Sequence, residues 1–99
     1  SKREAAPNTA TAFQNVTLSQ NRPNPFDELT TVEYSIPENT KNATLDVFSM
    51  EGKLMASYDI QGGSGKVNIQ SNTMQSGTYV YAINVNGANV ATNIMIIQK

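Results

Sequence analysis

Near the end of the chain, Tyr79, Tyr81, Ile83 and Val85 fall on one parity and Val80, Ala82 and Asn84 on the other. That spacing leaves little choice of secondary structure. Side chains two apart share one side of a β-strand, whereas a helical face needs them three or four apart. Asn86-Gly87 follows directly. This dipeptide suits a type I′ hairpin turn, which needs positive φ at both central positions. Residues 89–98 are therefore read as the return strand, apolar on both parities near its end.

The same period recurs upstream between short turn signals. Val16 and Leu18 open it, and Arg22-Pro23-Asn24-Pro25-Phe26 interrupts it with a rigid turn that cannot continue a ladder. Val32, Tyr34 and Ile36 alternate with polar neighbours until Pro37, and Leu45 and Val47 repeat the pattern. Met50-Glu51-Gly52-Lys53 is a hairpin connection in which Gly52 supplies positive φ. Residues 54–60 form the return strand, with Leu54 and Met55 adjacent and its parity open. Gly62-Gly63-Ser64-Gly65 reads as a flexible bend before a short strand at residues 66–69.

Composition agrees with strands. Charged residues are 15% of the chain, against ~25% in an average domain. Asn, Thr, Ser and Gln supply the polar positions instead, which suits the outward side of a sheet better than an exposed helical face. About seven strands without a helical period predict an all-β fold, an immunoglobulin-like Greek-key β-sandwich of about seven antiparallel strands. At 99 residues such a domain buries roughly two thirds of its surface without staples.

What the chain lacks excludes whole classes of function. It has no His, no Cys and no Trp, so the usual zinc ligands, the commonest general base and any thiol nucleophile are missing. Seven Lys and Arg against eight Asp and Glu, with no basic run, argue against nucleic acid and anionic membranes. The run Ile94-Met95-Ile96-Ile97 is far shorter than the ~18 residues of a membrane span, so no membrane insertion is expected. Gly62-Gly63-Ser64-Gly65-Lys66 fails the phosphate-loop pattern, because Ile60 and Val67 stand where Gly and Ser or Thr are required. Asp27-Glu28 is a solvated turn rather than a poised carboxylate pair. Asn15-Val16-Thr17 and Asn42-Ala43-Thr44 match glycosylation acceptors that a chain this rich in Asn and Thr meets by chance. Tyr34, Tyr79 and Tyr81 are assigned to the core, and Phe48 is the aromatic whose parity turns it outward. The chain is read as a non-enzyme with no cofactor.

Five segments together resemble a known family. Leu18-Ser-Gln-Asn-Arg-Pro-Asn-Pro-Phe26 and Thr30-Thr-Val-Glu-Tyr-Ser-Ile-Pro37 resemble the opening of the C-terminal sorting domains of the type IX secretion system, carried by proteins of the Bacteroidetes. Leu45-Asp-Val-Phe-Ser-Met-Glu-Gly-Lys53, Ser76-Gly-Thr-Tyr79 and Val90-Ala-Thr-Asn-Ile-Met-Ile-Ile-Gln-Lys99 are similar to the later family segments, in order and in register. The matching motif residues are Pro23, Asn24, Pro25, Phe26, Gly52, Gly77 and Tyr79. Arg22 stands where an aromatic is common, and Asn93 where a basic residue is common.

The resemblance implies an address rather than an activity. Residues 16–99 would be the sorting domain, and residues 1–15 a linker, disordered or partly helical, from an upstream cargo domain in the same chain. Ser1 in place of Met fits an excised piece of a longer protein. The implied partners are the outer-membrane secretion machinery and a sortase-like protease. The implied route is the periplasm in transit, then secretion or attachment to the cell surface. Cleavage needs an extended, exposed segment, which points to Pro7, Asn8, Thr9, Ala10, Thr11, Ala12, Phe13, Gln14 and Asn15. For recognition, the terminal strand is expected to turn Val90, Thr92, Ile94 and Ile96 to the core. Asn93, Met95, Ile97 and Lys99 would then face outward for strand addition by a partner. The alternatives are a retained adhesive or carbohydrate-binding immunoglobulin-like module, and an inert spacer resembling fibronectin type III repeats.

Overall fold

The computed structural model describes residues 15–99, so the linker expected at residues 1–15 and the cleavage segment expected at residues 7–15 lie outside the described residues except for Asn15, which is an exposed turn residue. Seven strands follow in order: β1 Thr17–Leu18, β2 Leu29–Ile36, β3 Ala43–Ser49, β4 Leu54–Ile60, β5 Gly63–Gln70, β6 Gly77–Val85 and β7 Ala88–Ile97. No helix occurs among the described residues. The strands form a three-stranded sheet, β1-β2-β5, and a four-stranded sheet, β4-β3-β6-β7, with every pairing antiparallel. This is the immunoglobulin-like sandwich that the alternation predicts.

Each sheet turns one parity inward. Val32, Ile36, Val67 and Ile69 come from the smaller sheet, and Leu45, Val47, Tyr81, Ile83, Met95 and Ile97 from the larger. Phe26 and Met74 close the core from connecting segments. Burying a side chain of this size contributes about 1.5–3 kcal/mol, so the inner faces are what hold the sheets together. The turns behave as read. Asn86 and Gly87 have φ of 53° and 84°, and Val85 pairs with Ala88 across them. Gly52, at φ 94°, lets its N–H return to the Ser49 carbonyl at 2.9 Å. A β-carbon there would be strained.

Two expectations need correction. Gly63, Ser64 and Gly65 are not a flexible bend but the start of β5, paired with Ile36, Ser35 and Tyr34. The reason is the Tyr34 ring, which lies across Gly65. A β-carbon at Gly65 would come within 2.5 Å of Tyr34 Oη. Glycine here makes room for an aromatic within a strand.

The second correction is the parity of β7. Met95 and Ile97 are buried, at 0% and 1% exposure, whereas Ile94 and Ile96 are exposed at 50% and 40%. A β-bulge causes the reversal. Ile83 pairs with Ala91 but Asn84 pairs with Asn89, so Val90 is one residue too many on β7. A one-residue insertion moves every later side chain to the opposite face. Continuing the alternation from Val90 without the bulge inverts the strand. A matching shift in β4 pairs Val47 with Ala56 but Phe48 with Leu54, leaving Met55 over. That bulge settles the parity that Leu54 and Met55 left open.

Candidate functional site

Three of the five family-like segments, Leu18–Phe26, Ser76–Tyr79 and Val90–Lys99, meet at the last half of β7. β7 is an edge strand, and the backbone groups of alternate residues point away from β6 with no strand to receive them. Residues 19–26 run along that edge as a strap. Gln20 Nε2 donates to the Ile94 carbonyl at 2.7 Å. Ile96 N–H donates to Asn24 Oδ1 at 3.0 Å. Phe26 N–H donates to the Ile96 carbonyl at 3.0 Å, and Gln98 N–H to the Phe26 carbonyl at 2.8 Å. Phe26 and Ile97 thereby form a parallel bridge. The strap is also anchored to the other sheet, because Arg22 and Thr31 exchange two backbone hydrogen bonds at 2.9 Å.

A buried polar network holds the strap in place. Asn21, 1% exposed, donates from Nδ2 to the Pro23 carbonyl and to Thr30 Oγ1, both at 3.0 Å. Thr30 Oγ1 donates to the same Pro23 carbonyl at 2.8 Å. Tyr81 Oη donates to the Ser19 carbonyl at 2.6 Å, and Asn93 Nδ2 to the Leu18 carbonyl at 2.8 Å. Burial pushes the Tyr81 phenol above its usual range, opposed in part by hydrogen bonds with the Asn21 backbone and the Asn93 side chain. A buried polar group without such partners costs about 1–3 kcal/mol, so the network fixes one position for the strap.

The other motif residues sit at the same end. Gly77 opens β6 opposite Ile97, and Tyr79 pairs with Met95. Tyr79 Oη donates to the Gln75 carbonyl four residues upstream at 2.8 Å. This is the tyrosine corner of immunoglobulin-like sandwiches. Lys99 N–H donates to Ser76 Oγ at 2.9 Å, and Lys99 Nζ to the Ser71 carbonyl at 2.8 Å. Ser71, itself buried, donates to the Asp27 carbonyl.

The residues expected to be read by a partner are therefore placed differently from the expectation. Met95 and Ile97 belong to the core, Asn93 is half-buried and holds the strap, and Lys99 is exposed but tied by two hydrogen bonds. Backbone addition along the last half of β7 meets an edge that the strap already occupies. Pro23, Asn24 and Pro25 are exposed on that strap, while Phe26 is buried at its end. Sequence reasoning missed Asn21, Thr30 and Ser71, because a buried amide or hydroxyl in a turn carries no periodic signal. Of the aromatics, Tyr79 and Tyr81 are buried as expected, Tyr34 is half-buried against the core, and Phe48 is half-buried on the outer side. Among the described residues, no three His, Cys, Asp or Glu side chains are grouped to hold a metal ion.

The model of the secretion system C-terminal sorting domain family matches residues 22–98. The chain belongs to this family, the sorting domains of the type IX system. The match begins at Arg22, inside the strap, and runs through the capped strand. No curated protein and no solved structure matches the chain. Membership in a sorting-signal family, which is not an enzyme family, accounts for a site built of caps and anchors rather than reactive groups. It assigns the chain to secretion across the outer membrane, together with a cargo upstream.

Proposed function

We propose that residues 16–99 act as the folded address by which the outer-membrane machinery selects its cargo after periplasmic transit. Residues 1–15 serve as the linker to that cargo. A sortase-like protease then cuts within residues 7–15, releasing the cargo or attaching it to the cell surface. The observation that carries this reading is convergence. Residues from three segments that resemble the family, Pro23 to Phe26, Gly77 to Tyr79 and Asn93 to Lys99, are gathered around one half of β7. A spacer needs only a core, whereas a signal read by another protein needs a fixed surface, and the strap network supplies the rigidity for one.

The test is transplantation. Fused behind a periplasmic reporter in a host with the type IX machinery, residues 1–99 should deliver the reporter to the surface. Mass spectrometry of the delivered protein should find a new C-terminus within residues 7–15. A reporter that stays in the periplasm with the sandwich folded would refute the address. Surface delivery with Lys99 still attached would refute the cleavage.

A further inference from the structure

Outward-facing residues of the four-stranded sheet divide into two halves. In one, Asp46 is satisfied on both oxygens, by Ser57 Oγ at 2.6 Å and by Asn84 Nδ2, and Thr44, Asp59 and Thr92 continue the polar pattern. In the other, the pairing register places Leu54 opposite Phe48, Phe48 opposite Val80, and Val80 opposite Ile94. An apolar row thus crosses all four strands, with Ile96 beside it, opposite Thr78. Of the five exposed large hydrophobics among the described residues, Leu54, Ile94 and Ile96 lie on this patch, and Met50 in the hairpin at its end. Leu29 lies on the other sheet.

Both ends of the row exist because of bulges. The extra residue at Met55 turns Leu54 outward, and the extra residue at Val90 turns Ile94 and Ile96 outward. Regular strands would have sent these side chains toward the core. Bulges in opposite edge strands that each bring apolar groups onto one face are features of the surface, not defects in the ladder.

The geometry points to this row as the docking surface for an uncharged, apolar patch on a protein of the secretion machinery, engaged through side chains. This assignment rests on the sorting reading and names the surface that the machinery touches. The strap closes the adjoining half of β7 to strand addition, so contact there is made face-on. The row carries no charged side chain, and Asp46, two residues before Phe48 on the same strand, is already satisfied on both oxygens, which suits an apolar counterpart. The footprint is small: three strand spacings of ~4.8 Å and two outward positions ~7 Å apart amount, with side chains, to a few hundred Å². A stable dimer buries ~800 Å² on each partner. A second copy would be held too weakly, whereas a sorting signal must bind and be released.

The experiment uses the complete secreted protein in a type IX host. Leu54→Thr with Ile94→Thr keeps exposed strand positions but removes the apolar ends of the row. Surface delivery should fall at least roughly tenfold, while the purified variant melts within about 4 °C of the parent. Leu29→Thr, the same change on the other sheet, should leave delivery unchanged. Deleting residues 16–99 separates the two readings. If deletion abolishes delivery but the double variant is delivered normally, the docking row is wrong and the address stands. If deletion leaves delivery intact, the address itself fails and the row with it. A concentration-dependent dimer in sedimentation equilibrium that the double variant dissolves would overturn the assignment in favour of a second copy.

Discussion

The two sheets share a core but present different outer faces. On the three-stranded sheet, Thr31 Oγ1 donates to Asn68 Oδ1, Ser64 Oγ donates to Ser35 Oγ, and Glu33 lies opposite Lys66. Each pair is polar, and the first two are hydrogen-bonded across the strands. On the four-stranded sheet only one half is built this way, and the other carries the row from Leu54 to Ile94. A sandwich that works as a spacer has reason to make both faces like the first. The difference teaches that burial requirements end at the core, and that the second face answers to something outside the domain.

The comparison depends first on the parity of β7, and that is where the largest effect is expected. Met95→Ala should destabilise by about 2–5 kcal/mol, because it truncates a fully buried side chain and leaves a cavity in the core. Ile94→Ala, one residue away, should cost about 0.5 kcal/mol or less, as exposed substitutions do. Urea denaturation of both variants decides it. Equal losses would mean that the bulge at Val90 does not hold in solution.

Next in size is the strap that joins the two sheets. Asn21→Ala removes donors to the Pro23 carbonyl and Thr30 Oγ1 and leaves buried groups short of partners. We expect a loss of about 1–3 kcal/mol. Hydrogen exchange should show the Ile96 and Gln98 amides opening before the rest of β7. Uniform opening would mean that the strap contributes no local protection.

These two cases also mark how far the sequence was readable. The strands stood out because alternation and turn chemistry point the same way: Tyr79 to Val85 with Asn86-Gly87, and Leu45 and Val47 with Gly52. The direction of β7 was not readable, because residues 94–97 are apolar on both parities and only pairing with β6 reveals Val90 as the extra residue. The strap was hidden for a different reason. Side-chain amides such as Gln20 and Asn24, which bond backbone groups of Ile94 and Ile96 at separations of 74 and 72 residues, leave no pattern along the chain. The motif residues could be named from sequence, but what they do could not.

Smaller effects come from the interior between the two faces. Tyr81 is buried and its phenol is held above the usual range, so the fold favours the neutral form. Below the unfolded value of ~10 both states are neutral, and the contribution to stability is fully present. It is lost as pH rises through the higher folded value, because the unfolded chain ionises first. Tyr81→Phe should lose about 0.5–1.5 kcal/mol at neutral pH with the hydrogen bond to Ser19. Its stability should also fall less steeply than that of the parent above pH ~10. Parallel slopes in denaturant titrations would show that Tyr81 ionises equally in both states.

The smallest effect tests the polar face directly. Glu33→Lys sets two like charges opposite each other on β2 and β5 in place of an opposite pair. Cross-strand pairs are worth about 0.2–1 kcal/mol, and these side chains are exposed, so the low end is expected. Salt should shrink the loss further, since exposed charges are screened within about 10 Å at 0.1 M. Ile94→Lys places the same charge on the other face at a similarly small cost in stability. If the outer faces differ in purpose, the two lysine variants will melt alike and be exported differently. Glu33→Lys is delivered, because its face was solvated already. Ile94→Lys is held back, because the charge interrupts a row built without one.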